Sequence, residues 1–158
     1  PDLSWATSDT SRFNLPARFA LLIPGGAAHR PGKRWPADSY RALAEIWLKQ
    51  GVTPVIIGGP DEADLADQIA GDTDIRNLAG QTSFADIAQL SREAAGVVGN
   101  DTGPMHIAAI CGCPSVVLFS GESDPSITAP RGADVRVLRR ENLGDLPVSE
   151  VAETLSLR

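Results

Sequence analysis

The sequence predicts an α/β fold with a doubly wound parallel sheet (Rossmann-like), on three observations. Short continuous apolar runs alternate with segments of helical period, most of the runs lead into a glycine-bearing turn, and the connections are short. Strand and helix in alternation imply right-handed βαβ crossovers, and runs apolar throughout imply strands covered on both faces. In such sheets ligands sit outside the carboxyl ends of the strands, near the point where strand order switches.

Residues 1–18, rich in Ser, Thr, Asp and Pro, have no clean period and read as a linker or entry segment that packs through Trp5 and Phe13. Residues 19–158 are expected to form one domain. Phe19 to Ile23 reads as a central strand, ended by Pro24-Gly25-Gly26. Between Asp38 and Gln50, the residues Tyr40, Leu43, Ala44 and Trp47 share a helical face; Asp38 or Ser39 is the expected cap and Gly51 the stop. Val55-Ile56-Ile57 is a second strand, running into Gly58-Gly59 and a helix that reaches about Ile69. Ile75 to Leu78 is a weaker strand, and Thr82 or Ser83 caps a helix whose Phe84, Ile87, Ala88 and Ser91 share a face. Gly96-Val97-Val98 is followed by a helix over 104–111, then by a strand from Pro114 to Phe119. A sixth strand at Val135–Leu138 and a terminal helix from Val148 to Leu157 complete the order.

The chain has 158 residues, enough for one substantial core, and its 14 basic against 20 acidic side chains leave a net charge of −6. That balance argues against a nucleic-acid backbone as partner. Cys111 and Cys113 are too close for an ordinary disulfide and too few for a zinc site, and read as buried thiols of a reducing compartment. No apolar run approaches a membrane span.

Three constellations lie at the predicted rim. The first runs from Gly99 to Ala109. Pro104 suits the first helical position, which makes Gly103 the expected N-cap, with the Met105 and His106 amides facing outward at a positive helix end. A phosphate site and an ordinary capped helix start both fit. The second runs from Pro24 to Pro36, where Arg30, Lys33 and Arg34 gather beside His29 in an acidic protein. Its glycines allow close backbone approach and its cations offer charge-assisted donors to phosphate; a solvated basic loop is the alternative. Neither the P-loop order nor the dinucleotide glycine fingerprint is present. The third is Asp61-Glu62, able to accept from ribose hydroxyls or simply to favour a helix's first turn. No serine sits in a nucleophile elbow, and the two histidines lie far apart, so neither a triad nor a metal site is expected.

Taken together, Lys33-Arg34-Trp35-Pro36, Gly58-Gly59-Pro60-Asp61-Glu62, Asp101-Thr102-Gly103-Pro104-Met105-His106 and the loop from Phe119 to Pro125 resemble the heptosyltransferases of glycosyltransferase family 9. The resemblance covers about residues 19–131. It implies the C-terminal, donor-binding half of a GT-B glycosyltransferase, an inverting enzyme moving a heptose-type sugar from an ADP-sugar to a lipopolysaccharide core acceptor. It further implies that Lys33 contacts the donor phosphates and stabilises the leaving group, and that Glu62 holds the ribose. Gly25, Gly26, Arg34, Asp101, Thr102, Gly103, Met105 and His106 complete the implied donor site. No metal or other cofactor is implied. The acceptor site and the general base, an Asp, are expected in an N-terminal domain that this chain lacks, so this half alone should bind without turnover. A cytoplasmic protein, peripheral at the inner membrane and without a stable anchor, is the implied setting. The loop departs from the family's Phe-Gly-x-Thr-Asp-Pro form, with Ser120 where Gly is usual. A nucleotide-sugar epimerase half-domain and a non-catalytic nucleotide- or phosphate-binding module remain as alternatives.

Overall fold

The computed structural model describes residues 1–26, 34–121 and 129–158. The elements run β1 (Phe19–Ile23), α1 (Ala37–Lys49), β2 (Thr53–Ile56), α2 (Ala63–Ala70), β3 (Arg76–Asn77) and α3 (Phe84–Glu93). Then come β4 (Val97–Asn100), α4 (Gly103–Ile110), β5 (Ser115–Phe119), β6 (Val135–Arg139) and α5 (Val148–Thr154). The strands form one sheet in the order β3-β2-β1-β4-β5-β6, and every pairing is parallel. The order reverses between β1 and β4, where the crevice of a doubly wound sheet opens.

The continuous apolar runs are explained by two cores. Ala20 and Leu22 of β1 join Tyr40, Leu43 and Trp47 of α1 and Ile69 of α2 on one face. Phe19, Leu21 and Ile23 face the other way, against Leu90 of α3 and Met105 and Ala108 of α4. Alternate residues of one strand therefore serve opposite layers, which is why β1, β4 and β5 are buried along their whole length.

Three local expectations are corrected. Helix α1 begins at Ala37 with Pro36 as N-cap, and neither Asp38 nor Ser39 caps it; Asp38 instead lies in the first turn, where the helix dipole favours an anion. The expected cap Ser83 does hold α3, in a reciprocal box with Asp86. Phe84, however, turns away from the sheet side and is 46% exposed, stacked on Trp5 at 5.9 Å between ring centroids. The terminal helix stops at Thr154 because Leu155 is extended, and the last residues run back to the end of α3.

Residues before β1 are fastened to α3. Asp86 is buried, and it accepts from Ser8 and from the Arg12 guanidinium. Burial by itself would raise this carboxyl, but the bonds from Arg12, Ser8 and Ser83 hold it well below the usual carboxylate range. From the other side Arg92 of α3 donates to the Ala6 carbonyl at 2.7 Å and to that of Leu3. At the far end of α3, Arg158 donates to the carbonyls of Ala94 at 2.9 Å and Arg92 at 2.8 Å, satisfying acceptors that the helix leaves open. Among the described residues no helix is long and apolar enough to cross a membrane.

Candidate functional site

The rim at the carboxyl ends of β1, β2 and β4 is organised by two side chains. Asn100, the last residue of β4, is 1% exposed. Its Nδ2 donates to the carbonyls of Pro24 at 2.8 Å and Gly25 at 3.1 Å. Its Oδ1 accepts from the Trp35 amide at 3.2 Å and the Tyr40 hydroxyl at 2.9 Å. A carboxamide has two donor hydrogens and two acceptor lone pairs, so all four valences are used. Burial pushes the Tyr40 hydroxyl well above its ordinary pKa, which keeps it a donor. Trp35 is anchored again by its indole N–H on the Leu146 carbonyl at 3.0 Å, and meets Tyr40 edge to face.

Glu62 joins the turns after β1 and β2. One carboxylate oxygen accepts from the Gly26 amide at 3.1 Å and the other from the Gly59 amide at 2.9 Å. The carboxylate lies so close to Gly25 that a Cβ there would come within 1.3 Å of Oε2. An ionised carboxylate has about four acceptor positions, so two further donors can still be received.

Helix α4 starts one residue earlier than its proline suggests. Thr102 is the N-cap, Gly103 the first helical residue and Pro104 the second. The Met105 amide donates to the Thr102 carbonyl at 3.2 Å instead of facing outward, and the Met105 side chain is buried in the core. Gly99 makes room for it: a Cβ on Gly99 would lie 2.7 Å from the Met105 sulfur and 2.8 Å from Ile23. Thr102 caps with no side-chain bond, and its hydroxyl oxygen is buried without a hydrogen-bond partner among the described residues. A Cβ placed on Gly103 would find nothing within 4 Å among those residues. Among the described residues, then, nothing lies against Gly103 at the positive end of α4.

Gly26 brings the turn after β1 against this helix start, its Cβ position lying 3.6 Å from Thr102 Cγ2. Arg34 donates to the Gly26 carbonyl at 3.0 Å, and its Nε is buried without a partner among the described residues. His106 Nε2 stands 3.8 Å from an Asp101 carboxylate oxygen, both on α4 or the turn before it. The structure therefore gathers Gly25, Gly26, Arg34, Glu62, Asp101, Thr102, Gly103 and His106 at one rim and sends Met105 into the core. Lys33 lies outside the described residues, as does most of the loop after Ser120. Asn100 is the residue that motif reading passed over; a carboxamide closing an otherwise apolar buried strand was the available signal.

Away from the rim, burial pushes the Cys113 thiol up to about 12, while Cys111 is only half-buried, so the expectation of two fully buried thiols holds for one of them.

A parallel doubly wound sheet whose strand order reverses between β1 and β4, with the start of α4 at that switch point, defines a Rossmann-like α/β domain. The chain belongs to glycosyltransferase family 9 (heptosyltransferase), whose family model matches residues 3–155. It is 33% identical over 136 residues to lipopolysaccharide heptosyltransferase 2 of Salmonella typhimurium, covering 82% of this chain and 39% of that protein. The Escherichia coli lipopolysaccharide heptosyltransferase 2 is 33% identical over 120 residues, covering 72% of this chain and 34% of that protein. Among solved structures, E. coli ADP-heptose lps heptosyltransferase II superposes with a TM-score of 0.82 at 29% identity, covering 96% of this chain and 49% of the other. E. coli heptosyltransferase WaaC with ADP gives a TM-score of 0.78 at 26% identity, covering 89% and 45%. The chain thus spans less than half the length of these relatives, and its fold is that of one half of a GT-B heptosyltransferase structure.

Proposed function

We propose that this chain is the donor-binding half of an inverting glycosyltransferase that moves a heptose-type sugar from an ADP-sugar to a lipopolysaccharide core acceptor. The observation that carries the reading is the junction of Gly26, Arg34 and the start of α4 around the buried Thr102 hydroxyl, which has no hydrogen-bond partner among the described residues, at the switch point of the sheet. Family membership and a relative solved with ADP support the nucleotide's identity.

In this reading the diphosphate lies against Gly103 and Thr102, with Arg34 and Lys33 supplying positive charge. The Glu62 carboxylate uses its remaining acceptor positions on the ribose hydroxyls, and Asp101 and His106 border the sugar. As the bond from sugar to diphosphate breaks through an oxocarbenium-like state, negative charge grows on the leaving phosphate. Donors fixed in advance near that phosphate stabilise the transition state more than the ground state. The acceptor and the general base belong to a second domain, so this half binds the donor without transferring it.

Calorimetric titration with ADP and with UDP tests the reading. Saturable ADP binding, weaker for UDP and weaker again in Lys33→Ala, is expected. Absence of ADP binding, or preference for UDP, refutes it.

A further inference from the structure

We propose that Asn100 is a positioning residue for the donor site, setting the turn after β1 and the arginine before α1 relative to the start of α4. This rests on the nucleotide reading above.

The geometry points to Asn100 because three of its four hydrogen bonds reach the two ends of one loop, and the fourth comes from Tyr40 in α1. The Pro24 and Gly25 carbonyls mark where the chain leaves β1, and the Trp35 amide marks where it returns to α1. Between these points lie Gly26 and Arg34, joined to each other at 3.0 Å. Asn100 is also covalently next to Asp101 and two residues from the Thr102–Gly103 start of α4. One buried carboxamide therefore ties the Gly26–Arg34 junction to the start of α4, without being exposed to the diphosphate. A buried amide with every donor and acceptor engaged has one orientation, and its neighbours inherit that orientation. Trp35 is held a second time by Leu146 and Tyr40 is packed in the core, so the end of the loop near α1 keeps other supports. At the end near β1 the Pro24 and Gly25 carbonyls take both of the amide's donors, while Glu62 holds the next residue through the Gly26 amide.

Asn100→Asp separates the two halves of this arrangement. The new carboxylate can still accept from Trp35 and Tyr40, but it offers no donor to Pro24 and Gly25 and repels their carbonyl oxygens. The variant is titrated by NMR with ADP and with adenosine, beside the wild-type chain and beside Asp86→Asn, which loosens α3 through Ser8, Arg12 and Ser83, none of them a residue of the proposed site. In the folded wild type ADP binds more tightly than adenosine; in Asn100→Asp that preference falls by roughly tenfold while adenosine affinity holds. Asp86→Asn lowers stability and keeps the wild-type preference, which separates positioning from general destabilisation. A wild-type chain that binds no ADP refutes the nucleotide reading itself and the positioning role with it. A wild type that binds while Asn100→Asp keeps the full ADP preference overturns the positioning role alone. If Asn100→Asp does not fold, Asn100→Ser is judged by the same criterion, and failure of both to fold marks a folding residue and overturns the proposal.

Discussion

Gly25→Ala should damage the domain through Glu62 and not through its own backbone. The added Cβ would stand 1.3 Å from Glu62 Oε2 and 2.1 Å from Cδ, so the carboxylate must leave. Leaving breaks its bonds to the Gly26 amide at 3.1 Å and the Gly59 amide at 2.9 Å. A hydrogen bond to a charged group contributes about 1.5–3 kcal/mol, and the partial exposure of Glu62 favours the low end, giving a loss of roughly 2–3 kcal/mol for the pair. With a urea slope of about 1–3 kcal/mol per molar, the midpoint should fall by roughly 1 M. The decisive assay is a double-mutant cycle with Glu62→Ala. Once the carboxylate is absent, Gly25→Ala should be close to neutral, or stabilising by about 0.4–1 kcal/mol because alanine restricts the unfolded chain. Equal costs for Gly25→Ala in both backgrounds would show that something other than Glu62 forbids a side chain there, and the clamp would have to be abandoned.

Three further outcomes are expected. Because the folded Asp86 carboxyl lies below its unfolded value of about 3.9, its contribution is complete above that pH and declines as pH falls below it. Urea unfolding from pH 6 down to 3 should therefore be less steep in pH for Asp86→Asn, which is also less stable by about 1–2 kcal/mol near neutrality because the half-exposed Arg12 loses its carboxylate partner. Gly103→Ala, with no described residue within 4 Å of the added carbon, should change stability by less than about 1 kcal/mol yet weaken ADP binding, read by the same calorimetry; unchanged affinity would remove the start of α4 from the site. A thiol reagent near neutral pH should modify Cys111 in the native chain and leave Cys113 untouched until unfolding, since burial keeps Cys113 protonated.

The fold was legible because the strands carry their signal locally. Phe19–Ile23 and Ser115–Phe119 are apolar throughout since both faces of the sheet are covered, and a glycine-bearing turn follows each at the rim. Edges were less exact where the backbone settles the matter: Pro104 fits both the first and the second helical position, and only the Thr102 carbonyl's bond to Met105 decides between them. Phe84 carries the apolar period of α3 but packs on Trp5, a partner 79 positions away along the chain whose contact no local pattern encodes. The rim followed the same division. Glycines, the KRWP run and the DTGPMH run mark it in the sequence, whereas Asn100 is visible only once Pro24, Trp35 and Tyr40 are brought around it.

Helix α3 is gripped at both ends by segments far apart in the sequence: Ser8 and Arg12 at Asp86, and Arg158 on the carbonyls of Arg92 and Ala94. Mechanically, the two segments share a single anchor post. Leu3, Ala6, Ser8 and Arg12 are fixed relative to Arg158 through this one helix, although the full length of the sheet-forming sequence separates them.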